Sequence, residues 1–434
     1  MPYRVGLYTL GCKVSQYETE AVAEAFAEKG FLRASFDEVC DVYVINTCTV
    51  TAESDRKSRQ IIRRAGRQNP QAIVMVMGCY SERAADEILK IEGVSYVIGT
   101  EGKMRLPDKA LALLAQKEKS APASALLSME NAVFEPMRVK EAPRTRAYVK
   151  IEDGCECACT YCAISLARGG VRSKRAEDVL DEIAHLAQSG TREVVLTGIE
   201  TSSYGRDFSD YGLIDLLERI ERESAISRVR LGSLSPEWLR PSVIDRLAAL
   251  SKITPHFHVS VQSGSSSVLA RMKRRYNAEM AAASLLYLRE KMPEVEFTAD
   301  MMVGFPAETD KEFEETLAFS QSAAFLSMHV FAYSQREGTP AALYEGQIPE
   351  SLKRARSEAL ISLSGVLSAQ RKQRKIDLGA PLSVLFETEN GGVWRGHSDS
   401  FFEVEVASDK DLHGVLGSVL PLAIKNGRIF GKLL

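Results

Sequence analysis

The segment EDGCECACTYC (residues 152–162) contains four cysteines within eight residues. Three of them, Cys155, Cys159 and Cys162, follow the spacing C-x3-C-x2-C, and the chain contains no second C-x2-C pair. Structural zinc sites usually combine such a pair with two more ligands downstream. Three close thiolates without a fourth instead suit a [4Fe–4S] cluster with one open iron. The spacing therefore favours an iron–sulfur site, and a zinc knuckle or accidental clustering is the alternative.

The cysteine segment follows the first of six apolar stretches that alternate with helical patterns. The predicted strands are residues 147–153, 193–199, 228–234, 256–262, 296–303 and 327–333. The predicted helices between them are residues 176–189, 212–222, 241–250, 277–291 and 309–323. Six βα units in one run predict a partial (βα)6 parallel barrel over residues 141–370, not a closed eightfold barrel.

Two of these strands alternate in a way that points polar side chains to one face. The side chains that share this face are His256, His258, Ser260 and Gln262 on one strand and Glu296, Thr298 and Asp300 on the next. A barrel filled only by packed core would have Val, Ile and Leu at these positions. The pattern predicts a lumen that holds a ligand, with a solvated edge face as the alternative.

The first 115 residues also alternate strand and helix patterns. The predicted strands are residues 4–10, 42–47, 72–78 and 96–99, and helices are predicted at 17–29 and 52–67. Near-continuous apolar strands separated by helices predict a parallel sheet covered on both faces, hence an α/β domain over residues 1–115. Residues 116–140, which begin with QKEKSAPASA, are predicted to form a linker.

Three cysteines of this first domain each follow a predicted strand. Cys12, Cys48 and Cys79 should therefore share the sheet edge where ligands bind in open parallel sheets. They could hold a second [4Fe–4S] cluster, but three buried inert cysteines explain the pattern equally well. Cys40 precedes its strand, at the opposite edge, and is interpreted as structural.

The C-terminal part changes pattern again. A long helical stretch (residues 351–375) leads to five short apolar runs separated by turn residues such as Asn390-Gly391-Gly392. Five short strands in about 60 residues predict a small β-barrel of the oligonucleotide-binding type over residues 371–434.

Composition sets the broad class of protein. The 434 residues include 55 basic and 58 acidic ones, a net charge of −3, and 45% are apolar. These values are typical of a globular protein of about three domains and exclude a uniformly basic nucleic-acid coat. No apolar run is long enough to span a bilayer, and the first residues lack a signal-peptide pattern. We expect a soluble cytoplasmic protein without membrane contact, in which eight cysteines serve metal or redox chemistry.

The C-x3-C-x2-C run after the first strand of a βα barrel resembles the radical S-adenosylmethionine superfamily. The resemblance implies that Cys155, Cys159 and Cys162 are catalytic cluster ligands, that the open iron holds the methionine moiety of S-adenosylmethionine, and that Tyr161 is the usual aromatic residue before the last cysteine. It assigns no ligand role to Cys157. It also makes Thr197 and Gly198 candidate contacts of the methionine amino group, and Gln262 and Asp300 candidate polar contacts of the cofactor or substrate.

Several further motifs resemble the methylthiotransferase family within that superfamily. They are GCKVSQYETE (11–20), NTCTVT (46–51), GCY (78–80), LTGIETSSYGRD (196–207), HVSVQSGS (258–265) and MVGFPAET (302–309), and the tail resembles a TRAM domain. The resemblance implies two [4Fe–4S] clusters, the second on Cys12, Cys48 and Cys79, which presents sulfur to an unactivated carbon. It also implies an electron donor, a sulfur donor and S-adenosylmethionine as the source of both radical and methyl group.

The motif around Cys12 distinguishes branches of that family by substrate. Lys13, Val14 and the run Gln16-Tyr17-Glu18 resemble the branch that converts N6-threonylcarbamoyladenosine, at position 37 beside the tRNA anticodon, to its 2-methylthio derivative. The other branches modify isopentenyladenosine in tRNA or an aspartate of a ribosomal protein. Ser15, Ser165, Leu166 and Glu200 depart from the usual family residues, which leaves fine substrate contacts open but not the reaction class.

Two non-enzymatic hypotheses compete with this interpretation. An iron–sulfur electron carrier with an RNA-binding tail would explain two clusters but not a polar barrel lumen. A zinc-stabilised RNA-binding scaffold lacks the fourth ligands that such zinc sites need.

An enzyme that acts on the anticodon stem-loop needs a basic surface for RNA. The predicted helix beyond Cys48 carries Arg56, Arg59, Arg63 and Arg67 on one face, which could follow phosphates. A second basic group consists of Arg271, Lys273, Arg274 and Arg275. The alternative for each group is a solvated charged helix face.

Overall fold

The computed structural model describes residues 2–116, 121–129, 132–140 and 145–434. Three regions follow one another, an α/β sheet, a partial barrel and a small closed β-barrel, and this order confirms the predicted fold class. The predicted linker falls partly outside the described residues, at 117–120 and 130–131. The predicted domain boundaries themselves stay predictions.

The first region is a six-stranded parallel sheet with helices on both faces. Its strands are β1 Arg4–Thr9, β2 Leu32–Ala34, β3 Val42–Thr47, β4 Ile73–Gly78, β5 Val94–Ile98 and β6 Ala123–Ala125. Its helices are α1 Lys13–Glu28, α2 Ala52–Gln68, α3 Cys79–Arg83, α4 Ala85–Leu89 and α5 Leu106–Leu114, with a 3-10 turn at Lys103–Arg105. The spatial order of the strands is β2-β1-β3-β4-β5-β6. The chain therefore changes winding direction between β1 and β3, the point at which such sheets bind ligands.

Burial explains which strands the sequence predicted well. Every residue of β3 and β4 is buried between two apolar layers, as their continuous apolar sequences predicted. The edge strands β2 and β6 were not predicted, because three residues are too few to show a period. Strand β6 pairs with β5 inside the segment predicted as a linker, so part of that segment belongs to the sheet.

The second region contains the predicted partial barrel. Its strands are β7 Arg146–Lys150, β8 Glu152–Asp153, β9 Arg172–Ser173, β10 Glu193–Thr197, β11 Arg228–Leu231, β12 His256–Gln262, β13 Glu296–Val303 and β14 Ser327–Ala332. Its helices are α6 Ile164–Arg168, α7 Ala176–Gln188, α8 Leu213–Glu223, α9 Pro241–Ala248, α10 Ser266–Arg271, α11 Ala278–Lys291, α12 Asp310–Ala323 and α13 Glu350–Leu378. Short 3-10 turns lie at Thr201–Ser203, Pro236–Trp238 and Pro340–Leu343.

Six of these strands form the barrel wall. Two parallel sheets, β7-β10-β11 and β12-β13-β14, are joined by a parallel bridge between Leu234 and Val259. Strands β7 and β14 are the edges, so the barrel is open on one side. The outward residues of the wall, such as Phe257, Val259 and Val261, pack against the helices in the largest apolar core. The inward positions carry His256, His258, Thr298 and Asp300 of the predicted polar face. A bulge breaks the predicted alternation before Gln262, which lies opposite Met301, and Glu296 is paired with Arg371 of α13.

The third region is the closed five-stranded barrel predicted for the tail. Its strands are β15 Leu382–Asn390, β16 Val393–Ser398, β17 Glu403–Ala407, β18 Leu416–Lys425 and β19 Arg428–Leu433, in the order β15-β16-β17-β19-β18. A separate apolar core fills this barrel, and Val384, Phe386 and Ile429 within it are fully buried. The α13 helix connects it to the partial barrel and packs against β14 and β18.

The small barrel also covers the end of the partial barrel at which the strands begin. Phe401, at a positive φ of 73°, stacks on His256 with ring centroids 4.3 Å apart. The Arg230 guanidinium lies 4.9 Å from the centre of the same Phe401 ring and donates a 3.2 Å hydrogen bond to the Ser398 carbonyl. Arg146 forms a 3.1 Å ion pair with Glu387. We call this contact the barrel floor.

None of the described helices is both long and apolar enough to cross a membrane.

Candidate cluster and cofactor sites

The loop with the four clustered cysteines begins at a position that only glycine can occupy. Gly154 has a φ of +84°, and a Cβ there would lie 1.9 Å from the Gly170 carbonyl oxygen. The next residue, Cys155, donates its N–H to the Gly169 carbonyl at 3.0 Å. The loop is thus held from both ends, because residues 154–155 are bonded to the turn that follows α6.

The sulfur atoms of this loop face hydrogen-bond donors. Arg274 donates to the Cys159 Sγ at 3.2 Å, the Ile164 N–H lies 3.4 Å from the Cys162 Sγ, and the Cys157 N–H lies 3.4 Å from the Cys155 Sγ. Burial raises the pKa of Cys162 to about 11, and burial also raises the pKa of Cys159 although Arg274 opposes it. Without a metal these thiols are therefore protonated, whereas metal ligation removes the proton. N–H groups aimed at sulfur are the surroundings that an iron–sulfur cluster needs.

Cys157 lies directly beside Cys155. A hydrogen bond between the two side chains raises the pKa of Cys155 and lowers the pKa of Cys157 to about 7. Both thiols are half-buried. The assignment of Cys155 as the ligand and Cys157 as the bystander stays a prediction.

Two buried carboxylates stand next to this loop at the predicted methionine contact. Thr197 ends β10 and is buried, and a Cβ on Gly198 would lie only 2.4 Å from the Glu152 Oε2. Glu152 is 0% exposed, and its Oε1 has no hydrogen-bond partner among the described residues. Burial raises the pKa of Glu152 and of Glu200, the latter hydrogen-bonded by Ser202. An ammonium group, such as that of a methionine moiety, would give the Glu152 Oε1 the hydrogen-bond donor that it lacks.

Sequence reasoning missed Glu152 as a site residue and treated Glu200 only as a departure from the family. A carboxylate three residues before the first cysteine was the available signal. The structure explains the glycine at position 198, because any side chain there would collide with the Glu152 carboxylate. The sequence suggested only that Gly198 lets the backbone approach a cofactor.

The remaining predicted cofactor contacts separate into two places. Tyr161 is half-buried behind the cysteine loop, packed against the large core. Gln262 ends β12 at a bulge with a φ of +67°. Asp300 lies deeper in the lumen, where His258 Nε2 and His329 Nδ1 approach it at 3.1 and 3.4 Å. Although burial opposes ionisation, hydrogen bonds from these two histidines hold the pKa of Asp300 below its usual value.

The lumen continues from Asp300 toward the barrel floor as a hydrogen-bonded row. The Thr298 hydroxyl lies 2.8 Å from His258 Nδ1 and 3.0 Å from His256 Nε2. Lys13 enters from the first region, half-buried, and its pKa is lowered by burial and by the charges of Arg146 and Arg230. The open side of the barrel therefore combines cations with hydroxyl, imidazole and carboxylate groups.

The second group of cysteines lies at the switch point of the first sheet. Cys12 follows β1 and caps α1, Cys48 follows β3, and Cys79 follows β4 as the first residue of α3. Gly11 has a φ of +118°, and a Cβ there would contact the Cys48 Cβ at 3.1 Å and its Sγ at 3.4 Å. Gly78 has a φ of +106°, and a Cβ would lie 2.5 Å from the Thr47 carbonyl oxygen. The structure thus brings these three cysteines together at one edge, as predicted.

The three thiols lie close enough to influence one another's pKa. The pKa of Cys48 is raised to about 11, mainly by burial, with smaller contributions from the neighbouring Cys79 and Cys12. Cys12 is exposed, Cys48 half-buried and Cys79 buried. Cys40 is buried at the opposite edge, with its Sγ 3.6 Å from the Glu38 carbonyl. The Cys12 side of the triplet is therefore the side open to solvent.

Neither cysteine triplet is arranged for a single metal ion. Among the described residues, the one group of three possible ligands whose ligand atoms lie within 4.8 Å of one another is His258, Asp300 and His329. A mononuclear zinc ion binds its ligands at about 2.0–2.3 Å, so the ligand atoms of one zinc site lie less than 4.8 Å from one another. Neither cysteine triplet meets that spacing among the described residues.

Sequence reasoning also missed Arg168, whose Nε donates to the Cys79 Sγ at 3.2 Å. Arg168 ends α6, which begins just after the other cysteine loop. No sequence pattern connects it with a cysteine 89 residues away.

The predicted RNA-binding arginines lie on one face of α2, beyond Cys48. Arg56, Arg63 and Arg67 are exposed, whereas Arg59 is half-buried and donates to the Tyr80 hydroxyl at 2.8 Å. Arg56 is paired with Glu53. In the second basic group, Arg271 is paired with Glu312 at 2.7 Å and Arg274 faces Cys159. The α2 face is therefore the better candidate for phosphate contacts.

Comparisons with known proteins agree with this arrangement. Residues 4–99 match the uncharacterized protein family UPF0004, and residues 149–320 match the radical SAM superfamily. The threonylcarbamoyladenosine tRNA methylthiotransferase MtaB of Bacillus subtilis is 40% identical over 96% of this chain and 93% of its own length. The tRNA-2-methylthio-N(6)-dimethylallyladenosine synthase of Bacillus mycoides is 33% identical over 98% of this chain and 84% of its own length.

A solved structure shares the fold. The radical S-adenosylmethionine methyltransferase TsrM from Kitasatospora setae superposes with a TM-score of 0.58 at 16% identity, over 79% of this chain and 77% of TsrM. The matched segments, the relatives and the fold together confirm the resemblance drawn from the motifs. This chain belongs to the radical S-adenosylmethionine methylthiotransferase family and is an enzyme of that family.

Proposed function

We propose that this enzyme methylthiolates N6-threonylcarbamoyladenosine at position 37 of tRNA, beside the anticodon, with two [4Fe–4S] clusters and S-adenosylmethionine. The observation that carries this proposal is the 40% identity, over nearly the full length of both chains, to a relative named for that substrate. The relative named for dimethylallyladenosine is 33% identical. The motif GCKVSQYETE around Cys12 supports the same choice.

The two cysteine triplets have different tasks in this proposal. Cys155, Cys159 and Cys162 hold the cluster that supplies an electron for cleavage of S-adenosylmethionine to a 5′-deoxyadenosyl radical. Cys12, Cys48 and Cys79 would hold the auxiliary cluster, and the exposure of Cys12 leaves that side of the triplet open to an approaching substrate. We call these the radical site and the auxiliary site.

Side chains near the radical site orient the methionine moiety. Glu152 and Glu200 are buried carboxylates next to the cysteine loop, and the unpaired Glu152 Oε1 is suited to accept a hydrogen bond from the methionine ammonium group. Once paired with that cation, Glu152 is held in its charged form. Gly198 leaves the space that the Glu152 carboxylate occupies.

The lumen offers partners for the polar substituent of threonylcarbamoyladenosine. The substituent carries a carboxylate and a hydroxyl, and the open side of the barrel presents Lys13, Thr298 and the Asp300 carboxylate with its two histidines. An isopentenyl group has no polar atoms to satisfy these groups. The substrate carboxylate offers Lys13 an ionic partner that an isopentenyl group lacks, so the site favours the polar substituent.

The reaction also requires partners that supply electrons and sulfur. Cleavage of S-adenosylmethionine consumes one electron, and the product contains a carbon–sulfur bond that the substrate lacks. We therefore include a reducing electron donor and a sulfur donor in the proposal, together with the cytoplasm as the compartment where tRNA is modified. The exposed arginines of α2 are proposed to bind phosphates of the anticodon stem-loop.

An anaerobic assay on two modified tRNAs tests the proposal. Reconstituted enzyme is incubated with reductant, S-adenosylmethionine and tRNA that bears either threonylcarbamoyladenosine or isopentenyladenosine, and nucleosides are analysed by mass spectrometry. We expect the 2-methylthio product only on the first tRNA, together with 5′-deoxyadenosine and S-adenosylhomocysteine. Equal product on both tRNAs, or product only on a ribosomal protein, overturns the substrate. Iron without any cleavage of S-adenosylmethionine supports the electron-carrier hypothesis instead.

A further inference from the structure

A group of charged side chains is fully buried between the first region and the partial barrel. It contains Glu18 on α1, Lys103, Lys150 on β7, Asp153 on β8 and Arg168 on α6, with side-chain exposures between 0% and 3%. We call it the interface charge network. Two of its ion pairs cross from one region to the other, since Lys150 and Arg168 each lie 2.8 Å from Glu18. Arg168 also lies 2.9 Å from Asp153 on its own side.

The network contains more positive than negative groups. Three cations share the carboxylates of Glu18 and Asp153, which leaves one positive charge uncompensated among these five residues. The nearby Arg172 lies 3.7 Å from Asp153 and is paired with Glu101 at 2.8 Å, so these two residues add one charge of each sign and do not change that balance. A buried excess of one positive charge is costly, so a further anionic acceptor would stabilise the network.

The acceptor that the structure provides is a sulfur atom of the auxiliary site. The guanidinium of Arg168 uses Nη1 and Nη2 for Glu18 and Asp153, and its Nε donates to the Cys79 Sγ at 3.2 Å. Cys79 is buried and Arg168 is 0% exposed, so water does not compete for this hydrogen bond. A metal-bound cysteine is a thiolate and carries the negative charge that the network lacks.

Arg168 also has a special place in the chain. It lies six residues beyond Cys162, and α6 connects it directly to the loop of the radical site. The neighbouring Ala167 carbonyl accepts a 3.0 Å hydrogen bond from Thr100 of the first region. One side chain therefore connects the loop of the radical site to a cysteine of the auxiliary site.

We propose that Arg168 is a positioning residue for the auxiliary cluster: its Nε–H fixes the Cys79 sulfur relative to the radical-site loop and makes the auxiliary cluster easier to reduce. The proposal rests on the two-cluster function proposed above. Hydrogen bonds to cluster sulfurs stabilise the more negative, reduced state and so raise the reduction potential.

The radical site contains a matched contact that serves as a control. Arg274 donates to the Cys159 Sγ at 3.2 Å, the same length as the Arg168 contact. Its other hydrogen bonds go to Tyr276 and the Ser260 carbonyl, within the partial barrel. Arg274 thus touches one cysteine of its own site and does not connect the two regions.

The test measures the potential of each cluster separately. A Cys155→Ala/Cys159→Ala/Cys162→Ala background leaves the auxiliary cluster alone, and a Cys12→Ala/Cys48→Ala/Cys79→Ala background leaves the radical cluster alone. Arg168→Met, Arg168→Lys and Arg274→Met are introduced into both. Iron content and a redox titration followed by electron paramagnetic resonance are measured after anaerobic reconstitution.

We expect both Arg168 variants to shift the auxiliary potential to more negative values and to leave the radical cluster unchanged, with Arg274→Met giving the converse. Arg168→Lys keeps a cation for Glu18 and Asp153, so it separates the loss of the N–H···S bond from a general loss of folding. Retained iron with an unshifted auxiliary potential in Arg168→Lys overturns the proposal. If the first background binds no cluster at all even with Arg168 intact, the two-cluster function fails instead.

Discussion

The two cysteine triplets of this enzyme are built in opposite ways. Cys155, Cys159 and Cys162 come from one loop of eight residues, whereas Cys12, Cys48 and Cys79 come from three loops that are 36 and 31 residues apart. Both sites nevertheless use glycine at positive φ before a cysteine and one arginine as a donor to sulfur. The local site can be read from spacing alone, but the dispersed site exists only because a parallel sheet aligns its strand ends.

The sharpest test of this comparison removes the local site. Cys155→Ala, Cys159→Ala or Cys162→Ala is expected to lose about half of about eight irons and all formation of 5′-deoxyadenosine, because a [4Fe–4S] cluster with three ligands cannot spare one. Iron analysis and chromatography of the cleavage products measure both effects. Cys157→Ala should keep both. A damaging Cys157 change with a harmless Cys155 change would show that the ligand assignment within the loop is wrong.

The second test removes the dispersed site. Cys12→Ala, Cys48→Ala or Cys79→Ala is expected to keep cleavage of S-adenosylmethionine but to make no methylthio product, because the radical site does not share its ligands. The buried Cys40 provides the control, since Cys40→Ala should cost only the packing of one small side chain. A requirement for Cys40 but not for Cys12 would contradict the placement of the site at the strand ends.

A backbone change should separate the two sites further. Gly78→Ala puts a Cβ 2.5 Å from the Thr47 carbonyl oxygen, so Cys79 has to move, and about four irons should be lost while 5′-deoxyadenosine still forms. Gly30→Ala is the control, because Gly30 also has a positive φ but no atom within 4 Å of the added Cβ. Equal iron loss in both variants would point to general strain instead of displacement of Cys79.

The two sites also differ in the nearby protein surface, because exposed arginine side chains lie on α2, beside the dispersed site. Arg63 and Arg67 are exposed on α2, and neither has an ion-pair partner among the described residues. Arg63→Ala/Arg67→Ala should weaken tRNA binding by roughly 10-fold and lower the salt dependence by about one unit for each lost phosphate contact. Fluorescence anisotropy at several salt concentrations measures both quantities. Arg222→Ala/Arg354→Ala removes two exposed charges elsewhere and should change neither.

The smallest expected effect concerns the lumen between the two sites. The pKa of Asp300 is below its unfolded value, so its hydrogen bonds with His258 and His329 stabilise the fold above about pH 4 and are lost as the pH falls through the folded pKa. Asp300→Asn should therefore lower the thermal midpoint at pH 7 by the equivalent of about 2 kcal/mol and by less at pH 3. The exposed Asp409→Asn should show no such difference. A pH-independent deficit would mean that Asp300 acts only through packing.

The sequence predicted features that depend on short segments. The six barrel strands, the inward face with His258 and Asp300 and the five strands of the tail were predicted because periodicity and turn residues are local. The edge alignment of Cys12, Cys48 and Cys79 was predicted from topology. Arg168 and Glu152 were missed, because the contacts that define them join residues from different regions of the chain and leave no spacing to detect.

The barrel floor makes the C-terminal barrel part of the enclosure of the lumen. Arg230 and His256 lie under Phe401 at that floor, and they are only 2% and 3% exposed because the small barrel covers them. Truncation before α13 ends would therefore admit water to the lumen at the barrel floor. It would also remove the oxygen atoms that pair with three arginines there, namely Glu387 with Arg146, Ser383 with Arg228 and Ser398 with Arg230. A loss of activity in a shortened enzyme could therefore reflect this exposed end of the partial barrel and not weaker binding of tRNA.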